Sequence, residues 1–302
     1  KEPGFLACCW LPSKHVVCVS RSILQLSFWN MHSLKEKPPR ISPIFLSSVN
    51  TTAAQRALAW HDATSSLFTA DDASGRGVVT RYAVEVESAG SRKLHCTRLV
   101  VYTAHIASVS RIVVFDDEGL VGTVGMDGFV HLWILDGLKR DRYLSSRPPL
   151  LPGTMPFQQP RRGHSNRVVP VKCRSRVKAH TTGIQSVCKA GSGLFLTCSF
   201  DFSVFGWNVS GITDQMLFKL KGTHTPLVGV CAVPNSGYAV TVDREGVCCR
   251  WDLERAARST GESAIVQTFL PLERGQSDPS ASCEQPTAIA VDDESGTIVM
   301  AG

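Results

Sequence analysis

The residues of this sequence best able to do chemistry are histidines and acids at a fixed separation. His105 is followed by Asp127, His180 by Asp201 and His224 by Glu245, at gaps of 22, 21 and 21 residues. A threonine stands four residues before each acid (Thr123, Thr197, Thr241) and a tryptophan six residues after it (Trp133, Trp207, Trp251). A histidine placed between an acid and a hydroxyl is the arrangement of a hydrolase, where the base activates a nucleophile and the acid orients the base. Three copies at near-constant spacing favour another reading: a repeated structural unit reuses the same bracing in each copy.

The remaining reactive residues form no site. The cysteines (Cys8, Cys9, Cys18, Cys96, Cys173, Cys188, Cys198, Cys231, Cys248, Cys249 and Cys283) are scattered through apolar runs with no C-x-x-C spacing, so no structural zinc is expected. Cys8-Cys9 and Cys248-Cys249 are neighbours on strands and point to opposite faces, so neither pair clamps one ion. Gly119, Gly122 and Gly125 do not match a dinucleotide fingerprint, and no phosphate-binding loop is present. The runs Asp116–Glu118 and Asp292–Glu294 read as turns, without the register of a calcium loop. Asn50-Thr-Thr52 and Asn208-Val-Ser210 read as chance glycosylation sequons. No catalytic residue, no metal and no cofactor is expected.

The elements that position the trios are short strands. In each unit an apolar strand follows the histidine, a Gly- or Asp-rich turn comes next, a second strand carries the threonine, and a third ends in tryptophan. Val130-His131-Leu132-Trp133 shows the period-2 alternation of a half-buried strand. No stretch shows a convincing helical period, so the chain reads as all-β. Degenerate units flank the three. One contains Leu58-Ala-Trp60, Leu67-Phe-Thr69 and Val79-Thr-Arg-Tyr82, with Tyr82 in the tryptophan place. An earlier one ends at Trp29, and Ala288–Val291 with Thr297–Met300 begin a sixth. From Trp133 to Trp207 is 74 residues, against 44 from Trp207 to Trp251. A plain unit takes about 40–45, so that gap holds an insertion of roughly thirty.

These His, Thr, Asp and Trp sets make the chain resemble the WD40 family. The resemblance implies a partial β-propeller of about five and a half blades. They fall near 1–49, 50–103, 104–137, 179–222, 223–285 and, in part, 286–302, with 138–178 as an inter-blade insertion. The chain opens on Lys and stops before a third strand of the sixth unit, so closure by flanking sequence is expected. The resemblance also implies three hydrogen-bonded tetrads: His105–Thr123–Asp127–Trp133, His180–Thr197–Asp201–Trp207 and His224–Thr241–Glu245–Trp251. Ile106, Ser108, Met126, Thr182, Phe200, Thr225, Leu227 and Arg244 would then face the top of the ring as a partner-binding surface.

Charge is distributed unevenly. The net charge is +6 over 302 residues, yet Arg161, Arg162, Arg167, Lys172, Arg174, Arg176 and Lys178 fall in one stretch without an acid. That stretch is expected to be mobile and solvated, either a tether or a contact for an acidic protein or nucleic acid. No apolar run nears the about twenty residues of a membrane span, and no signal peptide opens the chain. Scattered free thiols point to a reducing, intracellular and cytoplasmic setting. The expected function is a non-catalytic protein–protein interaction scaffold. The strings His180–Ile184, Thr225–Val230, Arg250–Leu253 and Val266–Phe269 resemble blades of long ciliary or flagellar WD-repeat proteins, which implies a cilium or other cytoskeletal assembly. The alternative is a nucleic-acid-associated propeller of ribosome biogenesis or chromatin that uses the basic insert.

Overall fold

Runs of β-branched and aromatic residues separated by Gly, Asp and Asn turns fold here into antiparallel sheets stacked side by side. The computed structural model describes residues 4–31, 44–71, 75–86, 94–103, 105–135, 169–171, 173–191, 193–209, 216–220, 222–258, 264–270, 286–292 and 297–301. The first sheet holds β1 (Phe5–Leu11), β2 (Val16–Arg21), β3 (Gln25–Asn30) and β4 (Ile44–Asn50), in that order. The second holds β5 (Gln55–His61), β6 (Ser66–Asp71), β7 (Val78–Val86) and β8 (Leu94–Thr103). The third is built on β9 (Val109–Phe115), β10 (Leu120–Gly125) and β11 (Phe129–Ile134).

Two further strands fall inside the expected insertion. β12 (Val169–Val171) pairs in parallel with β8, as a fifth strand of the second sheet. β13 (Ser175–Lys178) pairs antiparallel with β11 and completes the third sheet. The boundary drawn at 138–178 is thus corrected at its end. A three-stranded blade leaves the outer edge of β11 unpaired, and Ser175–Lys178 alternates an exposed Arg176 and Lys178 with a buried Val177. The expectation of a mobile, solvated basic stretch fails for Arg176 and Lys178, which lie on this strand, while Arg174 donates its N–H to Leu132 O just before it. Arg161, Arg162, Arg167 and Lys172 lie outside the described residues.

The fourth sheet runs β14 (Ile184–Lys189), β15 (Leu194–Ser199), β16 (Val204–Asn208) and β17 (Phe218–Leu220). The fifth runs β18 (Leu227–Val233), β19 (Tyr238–Asp243), β20 (Cys248–Asp252) and β21 (Ile265–Phe269), and β22 (Ala288–Val291) pairs with β23 (Ile298–Ala301). Among the described residues a short α-helix, α1 (Leu253–Arg258), departs from the all-strand expectation. Asp252 caps it by accepting Arg255 N–H at 2.9 Å, Glu254 pairs with Arg258 at 3.1 Å, and Leu253 and Ala256 face the core.

The first strands of successive sheets pack together, β1 on β5, β5 on β9, β9 on β14, β14 on β18 and β18 on β22. The outer strands fan away from this axis. Each junction between sheets carries its own apolar layer, since one sheet cannot bury both faces alone. Trp133 packs with Phe68, Val79 and Tyr102 of the preceding sheet, Trp207 with Val113 and Phe115, and Trp251 with Leu196 and Phe218. Each large apolar side chain so buried contributes about 2–3 kcal/mol. These are the blades of a propeller, with the tryptophans as the keys between them.

Candidate functional site

The tetrad residues meet at one end of the blades because the hairpins put them there. Thr123 lies opposite His131 on the β10–β11 ladder, two residues along from Trp133. Trp133 Nε1–H donates to Thr123 Oγ1 at 3.0 Å, and Thr123 Oγ1 lies 2.9 Å from His105 Nε2. With the indole donating, the hydroxyl proton is left for the imidazole. His105 Nδ1–H then donates to the Asp127 carboxylate at 3.1 Å. Asp127 also accepts the N–H of Ile106 at 3.0 Å and of Phe129 at 3.1 Å, tying the loop before β9 to the β10–β11 turn. Burial alone would raise the Asp127 pKa, but these hydrogen bonds and the His105 contact leave it below the ordinary carboxylate value.

The fourth blade repeats the chain: Trp207 to Thr197 at 2.9 Å, Thr197 with His180 at 2.8 Å, and His180 with Asp201 at 3.1 Å. Ser203 adds its hydroxyl to both His180 and Asp201. Burial pushes the His180 pKa down, with Asp201 opposing it.

The fifth blade departs from its expected set. Trp251 does donate to Thr241 at 2.9 Å. His224 and Glu245, however, are exposed and do not join them. The acid at this turn is Asp243, which accepts the N–H groups of Glu245 at 3.0 Å and Val247 at 2.9 Å and the hydroxyl of Thr225. Its shorter arm, starting two residues earlier, reaches back into the turn, while Glu245 at the tip turns to solvent. The sequence does carry a signal for this: Asp243 follows Thr241 by two residues, as Asp71 follows Thr69.

Asp127, His105 and Thr123 have the connectivity of a hydrolytic triad, but access decides against it. Thr123 and Thr197 are fully buried, and each hydroxyl already receives an indole N–H. No substrate carbonyl reaches either oxygen. Ligand atoms of His105, Asp127 and His131 lie within 4.8 Å of one another. Both His105 nitrogens are already engaged by Asp127 and Thr123, so this trio reads as bracing with a packed histidine beside it.

Over the tetrads lies a surface that spans three blades. Ile106 is 67% exposed and Met126 42% exposed. Met126 sits against Gly183 and accepts from Gln185 Nε2 at 3.3 Å, bridging to the fourth blade. Thr182 is exposed and bonded to Ser199 at 2.9 Å, Ser108 is half-buried, and Phe200 is half-buried beneath the guanidinium of exposed Arg244, 5.7 Å from its ring centre. Two expected members leave the set. Leu227 is buried, because it begins β18 and points into the core. Thr225 is half-buried and spent on Asp243.

Phe202 is a member that pattern reading missed. It is 46% exposed and sits at φ 62°, the left-handed conformation that Gly128 takes at φ 74° in the matching turn. Glycine is required at 128, where a Cβ would come within 2.6 Å of His180 O. A bulky aromatic in that conformation is strained.

The basic stretch is partly spent as well. Arg174, Arg176 and Lys178 are exposed, but Arg176 lies 3.9 Å over the Phe129 ring and Lys178 Nζ donates to Asp127 O at 2.6 Å. Among the described residues no helix is long and apolar enough to cross a membrane.

A braced histidine–acid network in the third and fourth blades, on stacked, mainly four-stranded antiparallel sheets, defines the fold as a WD40-type β-propeller. Among solved structures it is similar to the crystal structure of the WD40 beta propeller domain of Doa1. The TM-score is 0.61 at 14% identity, covering 97% of this chain and 73% of that one. No family model matches the sequence. No curated protein matches it either.

Proposed function

We propose that the chain is a non-catalytic protein-interaction scaffold whose partner docks on the tetrad end of the third to fifth blades. One observation carries this: Phe202 holds a left-handed backbone conformation while leaving nearly half its surface in water. Backbone strain of about 1–3 kcal/mol is held at an aromatic that buries only about half of its surface in return. An exposed aromatic on the same turn as Phe200, with Met126 exposed on the corresponding turn of the third blade, suits the core of a protein interface. A ciliary, flagellar or other cytoskeletal assembly in the cytoplasm is the finer form of the reading, and its support is the short strings of the fourth and fifth blades alone.

The test separates stability from binding. Phe202→Gly relieves the strain, so the variant should melt at or above the parent temperature. A photo-crosslinking residue at position 126 should capture a partner in cells from the parent chain and lose it in Phe202→Gly. Unchanged crosslinks in the variant would remove this face as the docking site.

A second reading rests on Arg174, Arg176 and Lys178, three exposed bases at alternate positions on the rim of the third blade. They suit a polyanion, an acidic protein segment or nucleic acid. The contacts of Arg176 with Phe129 and of Lys178 with Asp127 O compete with that role. Salt-dependent binding of duplex nucleic acid, abolished by Arg174→Ala and Arg176→Ala together, would favour it over the scaffold.

A further inference from the structure

The tetrad of the second blade is incomplete. Thr69 takes the place of Thr123, Thr197 and Thr241, and Tyr82, opposite Leu67, takes the place of the tryptophans. Its three counterparts each accept an indole N–H, whereas Thr69 Oγ1 is buried with no hydrogen-bond partner. Gln55 is 3% exposed, and its Oε1 is likewise buried and unpaired. Its Nε2 is held by Ala53 O at 2.9 Å, so the amide cannot simply flip to satisfy the oxygen without losing that bond.

A cavity of about 260 Å³ opens beside Gln55, between the end of β4 and the second sheet. Gln55, Asp71, Thr80, Tyr82 and Arg98 line it. Register places them together: Gln55 is the cross-strand partner of Asp71, Thr69 of Thr80, and Tyr82 of Arg98. Asp71 is buried and Arg98 exposed, so the negative charge lies deep and the positive one at the mouth. Burial pushes the Tyr82 phenol up, and Arg98 and Asp71 both act on it in opposite senses, so both charges lie near one wall.

An unpaired buried acceptor costs about 1–3 kcal/mol, and a bound donor recovers much of that. The cavity is smaller than the about 300 Å³ at which pockets for drug-sized molecules begin, so its ligand is a small metabolite. A lone cation suits Asp71 and Gln55 but meets Arg98 at the mouth; a lone anion suits only Arg98. The geometry points to a binding site for a small zwitterion, a free α-amino acid. Its ammonium group donates to Gln55 Oε1 and Asp71, and its carboxylate accepts from Arg98. This site lies between the first and second blades and does not depend on the scaffold reading.

Calorimetric titration of the 302-residue chain with a panel of free L-amino acids tests this. At least one should saturate. Its decarboxylated amine and its N-acetyl derivative should each bind at least about tenfold more weakly, a difference of about 1.4 kcal/mol. Arg98→Gln, an exposed change that spares the core, should lower the amino acid to the level of its amine. Gln55→Met should weaken both; if that variant does not fold, Arg98→Gln still decides. Three results would overturn the proposal. One is no saturable heat up to about 10 mM, which leaves the cavity to water. Another is an amine that binds as tightly as its amino acid, the mark of a basic side chain from a partner. The third is an Arg98→Gln variant indistinguishable from the parent.

Discussion

The imidazole of His131 lies 4.1 Å, centre to centre, from that of His105, and its Nε2 is buried without a hydrogen-bond partner. In the fourth blade the same ladder position holds Phe205, stacked 4.4 Å from His180. The third blade therefore uses a histidine where the fourth uses a phenyl ring, and the polar nitrogen is carried as a cost.

Burial, with the His105 contact adding to it, pushes the His131 pKa down to about 3. The unfolded chain takes up this proton near pH 6.5 and the folded chain does not. Stability is therefore intact above about pH 6.5 and is lost as pH falls toward 3, by about 1.4 kcal/mol per pH unit from this group. His180 and His61, also lowered by burial, act in the same direction. His131→Phe should flatten the fall in melting temperature between pH 7.5 and pH 5; an unchanged slope would assign the acid sensitivity elsewhere.

Removing His180 should unbrace the fourth blade. His180→Ala leaves the Thr197 hydroxyl and the Asp201 carboxylate short of a partner, at about 1–3 kcal/mol each. Chemical denaturation should show the loss.

In the fifth blade the two acids should behave oppositely. Asp243→Ala strips two backbone N–H groups and the Thr225 hydroxyl of their acceptor and should cost about 1–3 kcal/mol. Glu245→Ala and His224→Ala, both at exposed positions, should stay within about 0.5 kcal/mol. Equal effects at 243 and 245 would reinstate Glu245 as the turn acid.

Thiol reactivity should be uneven. Burial pushes Cys9, Cys96, Cys198 and Cys231 up to about 12, so at pH 8 these thiols stay protonated and unreactive. Cys8 is exposed on the opposite face of β1. Brief alkylation followed by peptide mass analysis should label Cys8 first among the described cysteines; rapid labelling of Cys198 without denaturant would contradict its burial.

What was legible in the sequence was what is local in the chain. Thr123 and Trp133, like Thr197 and Trp207, sit on neighbouring strands of one hairpin, so a period of two and a tight turn fix their separation before any blade meets another. The all-β class, the blade order and both complete His–Thr–Asp–Trp sets follow from that. Other features were settled only when distant segments packed. Asp243 displaced Glu245 because the loop carrying Thr225 approaches the base of the turn and not its tip. Leu227 left the surface because β18 is wedged between neighbouring blades. Ser175–Lys178 became a strand because β11 offered an unpaired edge, and an unpaired edge belongs to the sheet and not to the residues that fill it. The cavity beside Tyr82 opens where the end of the first sheet meets a second sheet that carries a tyrosine in the tryptophan's place. A missing side chain is visible in a sequence; whether the space closes over it is decided by the packing around it.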